Sequence, residues 1–396
     1  MWQGGDTVRR VLGAILCLAM LAAVLVLPGL PGRLTEPAVT PTPAPSPPPE
    51  ETGSGFGVWV SYLEWQQVDF SSAQAFAADI AVMLDNIRDT GGSVVFAQVR
   101  PFGDALYPSD YFPFSHLCTG TQGQDPGFDP LALLVEAAHA RGLSLEAWVN
   151  PYRLRAGSLP AELCAASLAS IHPDWVRETD GGLYLNPADP QVRQYIADGV
   201  DELCRRYDVD GVHFDDYFYP ATDPAFDAAD YAASGTSLAL ADWRRQNVNE
   251  LVRLCWQTVH RYEGVRFGVS PQGNPDSCLT MQYSDAALWL AEPGYVDYLM
   301  PQLYWGLDSL LPERAQAWLS LPRAEGVALY FGLGAYRIGE GEQGNLAEWK
   351  SGCALARQRD WLLAHGADGV GLYRYGSLWA NTSWPGLAAA ELAALR

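Results

Sequence analysis

The chain is short of positive charge: its 396 residues carry 25 Lys and Arg against 46 Asp and Glu, a formal net charge of −21. A surface of that sign repels phosphate backbones, which argues against nucleic acid as a partner. Motifs of several reaction classes are missing as well. No HExxH occurs, and no second histidine stands at ligand spacing from His213-x-Asp215. Metal-dependent hydrolysis, of the deacetylase kind, is therefore a weak reading and no metal is expected. There is no GxSxG elbow for a nucleophilic serine. Glycine-rich phosphate loops are absent beyond an isolated Gly332-x-Gly334, and no cofactor is expected. No CxxC or mixed Cys/His spacing appears.

The N-terminal part lacks the residues of a globular fold. Arg9 and Arg10 precede an apolar run over residues 11–27, closed by Pro28. Such a run just suffices to cross a bilayer, and its basic flank predicts a cytoplasmic N-terminus over residues 1–10. Residues 11–28 are expected to be an uncleaved membrane anchor, with a cleaved signal peptide as the alternative. Residues 29–55, rich in Pro, Thr, Ser and Glu, read as a semi-extended tether. The rest is then expected at the extracellular face of the membrane, or secreted. Cys17 lies in the apolar run, and six cysteines follow in the exported part. Cys118 and Cys164, both in loop-like sequence, are a candidate disulfide; buried free thiols are the alternative.

From residue 56 to residue 396, short β-branched or aromatic runs alternate with longer helical patterns. Eight such runs occupy residues 57–61, 93–99, 144–150, 211–215, 266–270, 296–302, 328–333 and 369–375. Helical stretches lie between them, at 73–90, 129–141, 189–207 and 238–262 among others. Two of these open on Asp129-Pro130 and Asp189-Pro190, an N-cap followed by proline at the first helical position. Strand and helix alternating eight times predict a closed (β/α)8 TIM barrel, preceded by the membrane segment and the Pro-rich linker. In that fold chemistry sits where strands end. Amides, carboxylates and aromatics recur at the ends of all eight runs, Gln98 and Tyr373 among them, and Arg153 follows the third run.

The fourth run ends in Asp210-Gly-Val-His-Phe-Asp-Asp-Tyr-Phe-Tyr-Pro220. Two adjacent carboxylates beside aromatic rings are what sugar chemistry needs: acids for the glycosidic bond and flat apolar faces for pyranose rings. Period-two alternation puts His213 and Asp215 on one face. The candidate catalytic residues are Asp215, as nucleophile or base, and Asp216 or Asp104, as the acid. Candidate substrate contacts are Trp59, Tyr62, Arg100, Trp148, Asn150, Tyr152, His213, Tyr217, Tyr219, Gln272, Asn274, Gln302, Tyr304, Trp305 and Tyr336. The bland readings are turn capping for the aspartates and core packing for any single aromatic.

Five segments carry a resemblance. They are Gly57-Val-Trp-Val-Ser-Tyr62, Val99-Arg-Pro-Phe-Gly-Asp-Ala-Leu-Tyr-Pro108, Ala147-Trp-Val-Asn-Pro-Tyr-Arg153, the Asp210–Pro220 motif and Met300-Pro-Gln-Leu-Tyr-Trp305. Together they resemble the glycosyl-hydrolase-like family 10, over residues 56–378. The resemblance implies a TIM barrel related to retaining α-glycosidases and a polysaccharide substrate. It also implies kinship with a division-associated enzyme that cleaves peptidoglycan glycan strands stripped of their peptides. In the wider clan the nucleophile is an Asp ending strand 4, so the resemblance gives Asp215 that role. The clan's acid is a Glu ending strand 5, where this chain has Ser270-Pro-Gln-Gly-Asn274. The acid therefore does not carry over, and a non-catalytic glycan-binding barrel stands as the second reading.

Overall fold

The structure is a computed structural model and describes residues 55–396, apart from 180 and 343. The expected anchor at 11–28, and the linker up to residue 54, lie outside the described residues. Among the described residues, no helix is long and apolar enough to cross a membrane.

Twelve strands follow in chain order. They are β1 (Phe56–Val60), β2 (Gly92–Arg100), β3 (Ser144–Val149), β4 (Arg153–Ala156), β5 (Val176–Thr179), β6 (Gly182–Leu185), β7 (Gly211–Phe214), β8 (Arg266–Val269), β9 (Tyr298–Leu299), β10 (Gln302–Leu303), β11 (Ala328–Gly334) and β12 (Gly369–Tyr373). All except β4, β5 and β6 form one parallel sheet, in the order β10-β11-β12-β1-β2-β3-β7-β8-β9. β9 also pairs with β11, so the sheet closes. β9 and β10 are two halves of one barrel strand, interrupted at Pro301, which has no N–H to give the ladder. The result is the expected eight-stranded parallel barrel with helices around it. Each of the eight runs read from the sequence overlaps its strand, with ends that differ by a residue or two.

Alternation along the strands sorts side chains between two cores. On β2, Val95, Ala97 and Val99 point outward into the large apolar layer under the helices, while Phe96 points into the barrel. On β3, Leu145, Ala147 and Val149 point outward, and Trp148 points inward. The barrel interior is filled by Trp59, Phe96, Trp148, Tyr298 and Met300. Rings of that size fit because glycines face them. A Cβ on Gly268 would lie 1.9 Å from the Tyr298 ring, and one on Gly371 would lie 2.8 Å from Trp59 and 2.6 Å from the Met300 sulfur.

Beneath the mouth these rings hold a buried hydrogen-bonded chain. Trp59 Nε1–H donates to His213 Nε2 at 3.1 Å. The other ring nitrogen, Nδ1, therefore carries the proton and faces the Tyr298 hydroxyl at 2.8 Å. That hydroxyl donates to Glu146, which also accepts from Arg266 Nε at 2.6 Å. Burial and the nearby Arg266 charge lower the His213 pKa to about 3, so the imidazole is neutral.

The long connection after β3 holds a feature the sequence reading did not anticipate, a three-stranded antiparallel sheet in the order β4-β6-β5. The helices Pro130–His139 and Pro190–Arg206 start as expected: the Asp129 and Asp189 side chains accept from backbone N–H groups in their first turns. All six described cysteines are free. Cys118 and Cys164 are not bonded, correcting the candidate pair. Cys118 is a buried thiol, and the Cys164 sulfur lies where a Cβ on Gly123 would meet it.

Replacing Gly371 by Ala should destabilise the barrel by about 1–3 kcal/mol through overpacking. In a Trp59→Phe background the cost should shrink, because the two sites share one space. Denaturant unfolding of the four proteins measures this, and an undiminished cost in the double variant refutes it.

Candidate active site

β7 ends at Phe214 and delivers Asp215 and Asp216 to the C-terminal mouth of the barrel. Asp215 continues the inward series begun by His213, two residues deeper. Its side chain is almost closed to solvent, at 4% exposure. A buried carboxylate needs donors, and it has them. Trp148 Nε1–H donates to Oδ2 at 3.1 Å, Asn150 Nδ2–H donates to the same oxygen, and the Tyr217 backbone N–H donates to Oδ1 at 3.1 Å.

Asn150 is itself held from behind. Its Oδ1 accepts from Gln98 Nε2 at 2.5 Å and from Arg153 Nη2 at 2.8 Å. With two donors on that oxygen, the amide must turn its NH2 toward Asp215. Gln98 is fixed in turn by the Tyr62 backbone N–H, which donates to Gln98 Oε1 at 2.8 Å. The Arg153 guanidinium is pinned by the Pro101 carbonyl at 2.8 Å, and packs over the rings of Phe102 and Tyr217 at 5.0 and 5.1 Å.

Asp216 turns the other way. Its Oδ1 accepts from Gln302 Nε2 at 3.1 Å, and Gln272 also bonds its carboxylate. The two aspartates thus lean to opposite sides of β7, Asp215 toward β3 and Asp216 toward β8 and β10. Burial first, and the Asp215 charge second, push the Asp216 pKa up to about 7. Burial also raises the Asp215 pKa, but Arg153, the Tyr217 N–H, Asn150 and Trp148 all oppose the rise. The better-supplied carboxylate loses its proton first, so Asp216 keeps its proton to higher pH than Asp215 does.

The aromatic lip is formed by Tyr217, Tyr304, Tyr336 and Tyr373. Tyr304 stacks on Tyr373 with centroids 5.6 Å apart, and Tyr336 meets Tyr304 edge-on at the same distance. Tyr217 and Tyr336 are 51% and 38% exposed, open enough to meet a ligand. Tyr62 and Trp305 are partly buried near this rim, and Tyr62 packs on Phe102.

Other expected site residues lie elsewhere. Asp104 is fully buried, its Oδ2 facing Gln122 Nε2 at 3.1 Å and His116 Nδ1 at 3.2 Å, which removes it as a candidate acid. Trp59 and His213 are barrel filling beneath the mouth, and both His213 nitrogens are engaged. Arg100 sits outside the barrel wall, buried, with Phe112 4.2 Å from its guanidinium. A bulge between Gln98 and Arg100 separates that residue from the mouth. Tyr152 is buried in the outer core. Tyr219 is buried and donates to Asp227. Asn274 caps the helix Pro275–Met281 through the Asp276 N–H. Trp148 and Asn150 do belong to the site, but as holders of Asp215. Gln98 and Arg153 stood among the strand-end residues without a role; their signal was the position, two or three residues from a candidate already named.

The electrostatics set a pH dependence. Any step needing protonated Asp216 and ionised Asp215 declines as pH rises through about 7. Gln302 donates to the charged form of Asp216, so Gln302→Leu should move the alkaline limb of kcat/KM to higher pH. A limb that stays in place, or moves down, contradicts the assignment. Stability follows with its own sign. A carboxyl whose folded pKa lies above its unfolded value contributes stability that is lost as pH rises through the folded pKa. Asp216→Asn should therefore raise the melting temperature relative to the parent at pH 8, and do so less at pH 5.

Comparison with known proteins agrees with the barrel. The family model described as glycosyl hydrolase-like 10 matches residues 56–351. The chain is 35% identical over 309 residues to glycosyl hydrolase YngK of Bacillus subtilis (strain 168), covering 71% of this chain and 60% of that protein. It is 33% identical over 324 residues to glycosyl hydrolase DigH of Escherichia coli (strain K12), covering 72% and 74% of the two chains. The match thus spans less than two thirds of YngK's length. Among solved structures, the PgaB (BpsB) glycoside hydrolase domain from Bordetella bronchiseptica shares the fold. Its TM-score is 0.56 at 15% identity, over 86% of this chain and 98% of that one. The family match and the two relatives, taken with the barrel, make this chain a member of the glycosyl hydrolase-like 10 family.

Proposed function

We propose that this protein is a membrane-tethered or secreted glycoside hydrolase that cleaves O-glycosidic bonds in a cell-wall polysaccharide, peptidoglycan glycan strands foremost. One observation carries the reaction class: two adjacent carboxylates at the mouth of the barrel in unlike surroundings, Asp215 with three donors from Trp148, Asn150 and the Tyr217 N–H, and Asp216 turned away to Gln302. Glycoside hydrolysis needs that division, an acid to protonate the leaving oxygen and an anion for the positive charge that develops at the anomeric carbon. Asp216 is the acid, and Asp215 is the anion. Tyr217, Tyr304, Tyr336 and Tyr373 offer flat faces for sugar rings, and Gln272 and Gln302 lie at the rim as hydroxyl partners. Family membership supports the reaction class. The choice of polysaccharide leans on the apolar N-terminal run with its basic flank, which favours work outside the membrane, and on the family resemblance.

Mass analysis of products after incubating the full chain with intact and peptide-stripped peptidoglycan tests the substrate. Shortened glycans are expected, more from the stripped material. Asp215→Asn should cut turnover roughly a hundredfold or more while the melting curve stays cooperative. Asp104→Asn should keep the pH profile of the parent, because that residue is not the acid. Unchanged turnover in Asp215→Asn would sink the proposal.

A further inference from the structure

Asp215 and Asp216 are consecutive, and that limits how they can share one bond. A retaining pair flanks the scissile bond with carboxyls about 5–5.5 Å apart, and barrel enzymes draw such residues from the ends of different strands. Three other carboxylates near these strand ends are already engaged. Glu64 is tied to Ser61, Arg374 and the Gly376 N–H, and Glu342 to the Gly306 N–H and Ser309. Asp104 is enclosed, as described above.

Asp215 is also poorly set up to attack carbon. A carboxylate offers about four lone-pair sites, and three of these already accept from Trp148, Asn150 and the Tyr217 N–H. What remains suits one incoming N–H. Across the mouth, Tyr304 feels the charges of both Asp216 and Asp215. Its ring is fixed between Tyr373 and Tyr336, and its hydroxyl has no hydrogen-bond partner among the described residues. The mouth therefore presents one remaining acceptor for an N–H on Asp215, the Asp216 carboxyl next to it, and across from them a hydroxyl with no partner among the described residues.

We propose that the substrate supplies its own nucleophile: a 2-acetamido group whose N–H is held by Asp215 and whose carbonyl oxygen is oriented by the Tyr304 hydroxyl. This rests on the glycosidase reading of the same site. The acetamido oxygen attacks the anomeric carbon as the bond to the leaving oxygen breaks. That oxygen keeps the bonding pair and takes the Asp216 proton. Positive charge grows on the cyclised amide, where Asp215 stabilises it and accepts the N–H proton. Water then attacks the same carbon and gives a proton to Asp216. The ring opens, and the amide nitrogen recovers its proton from Asp215. The sum is hydrolysis with two inversions, hence net retention, and no enzyme–sugar bond forms.

The experiment gives the full chain peptide-stripped glycan strands in two forms, N-acetylated and chemically N-deacetylated, and reads the first product's anomer by NMR. Cleavage of the deacetylated strands at least about a hundredfold slower, together with a retained anomer, is the expected result. A thiazoline analogue of the cyclised amide should then inhibit competitively. Comparable cleavage of both forms, an inverted product, or a sugar trapped on Asp215 by a 2-fluoro substrate overturns the proposal and leaves the glycosidase reading standing. Failure to cleave any glycan instead overturns the glycosidase reading, and this proposal with it. Tyr304→Phe should lower kcat on acetylated strands about tenfold or more with little change in KM; an unchanged kcat removes Tyr304 from the scheme.

Discussion

The top of this barrel is organised around one requirement, that a buried carboxylate stay ionised. Asp215 is closed off from water, so each donor water would have given must come from the protein. Three donors reach it directly, and the Arg153 charge acts on it. The donors must themselves be unable to turn away. Asn150 could flip its amide and present an oxygen to an anion, were its oxygen not already held by Gln98 and Arg153. Gln98 in turn is locked by the Tyr62 N–H. The ends of β1, β2, β3 and β7 are thus joined through a single chain of hydrogen bonds.

The floor beneath that chain solves a related problem. Trp59, His213, Tyr298, Glu146 and Arg266 form a polar line through the barrel interior, and a polar interior invites water and alternative pairings. Each group in the line has a partner, and the donor direction is fixed by Trp59, whose N–H can only donate. A histidine with its pKa lowered to about 3 adds no charge below the two aspartates. The charge that opposes the effect of burial on Asp215 is that of Arg153.

How much of this was legible in the sequence follows from what period two encodes. Alternation tells which side of a strand a residue faces, and it put Asp215 on the face of His213; the eight runs and the barrel came from the repeated succession of strand and helix. Depth along the barrel axis is not encoded. His213 and Asp215 share a face, yet two residues of strand, about 6.6 Å, separate a buried filler from a residue at the mouth. Trp59 was misplaced for the same reason. Bulges hide too: the irregularity between Gln98 and Arg100 sends Arg100 outside the wall, where simple alternation from Gln98 would have kept it in. The small β4-β6-β5 sheet was missed because its strands are four residues long and lie in a polar loop. Asp104 was a fair candidate from its place after β2, but burial against His116 and Gln122 cannot be read from the sequence of one loop.

The adjacency of the two aspartates was legible from the start; their difference was not. A strand that ends between Phe214 and Asp216 releases the second carboxylate from the alternation that governs the first. Asp215 keeps its inward direction and finds the donors of β3. Asp216 swings to the amides that follow β8 and begin β10, Gln272 and Gln302, fewer donors than Asp215 has, and the anion beside it does the rest. Two chemically identical side chains one residue apart thus acquire unlike hydrogen-bond partners from where a strand stops. A longer β7 would have sent Asp216 outward into the helix layer, and the mouth would have held one carboxyl of the pair instead of two.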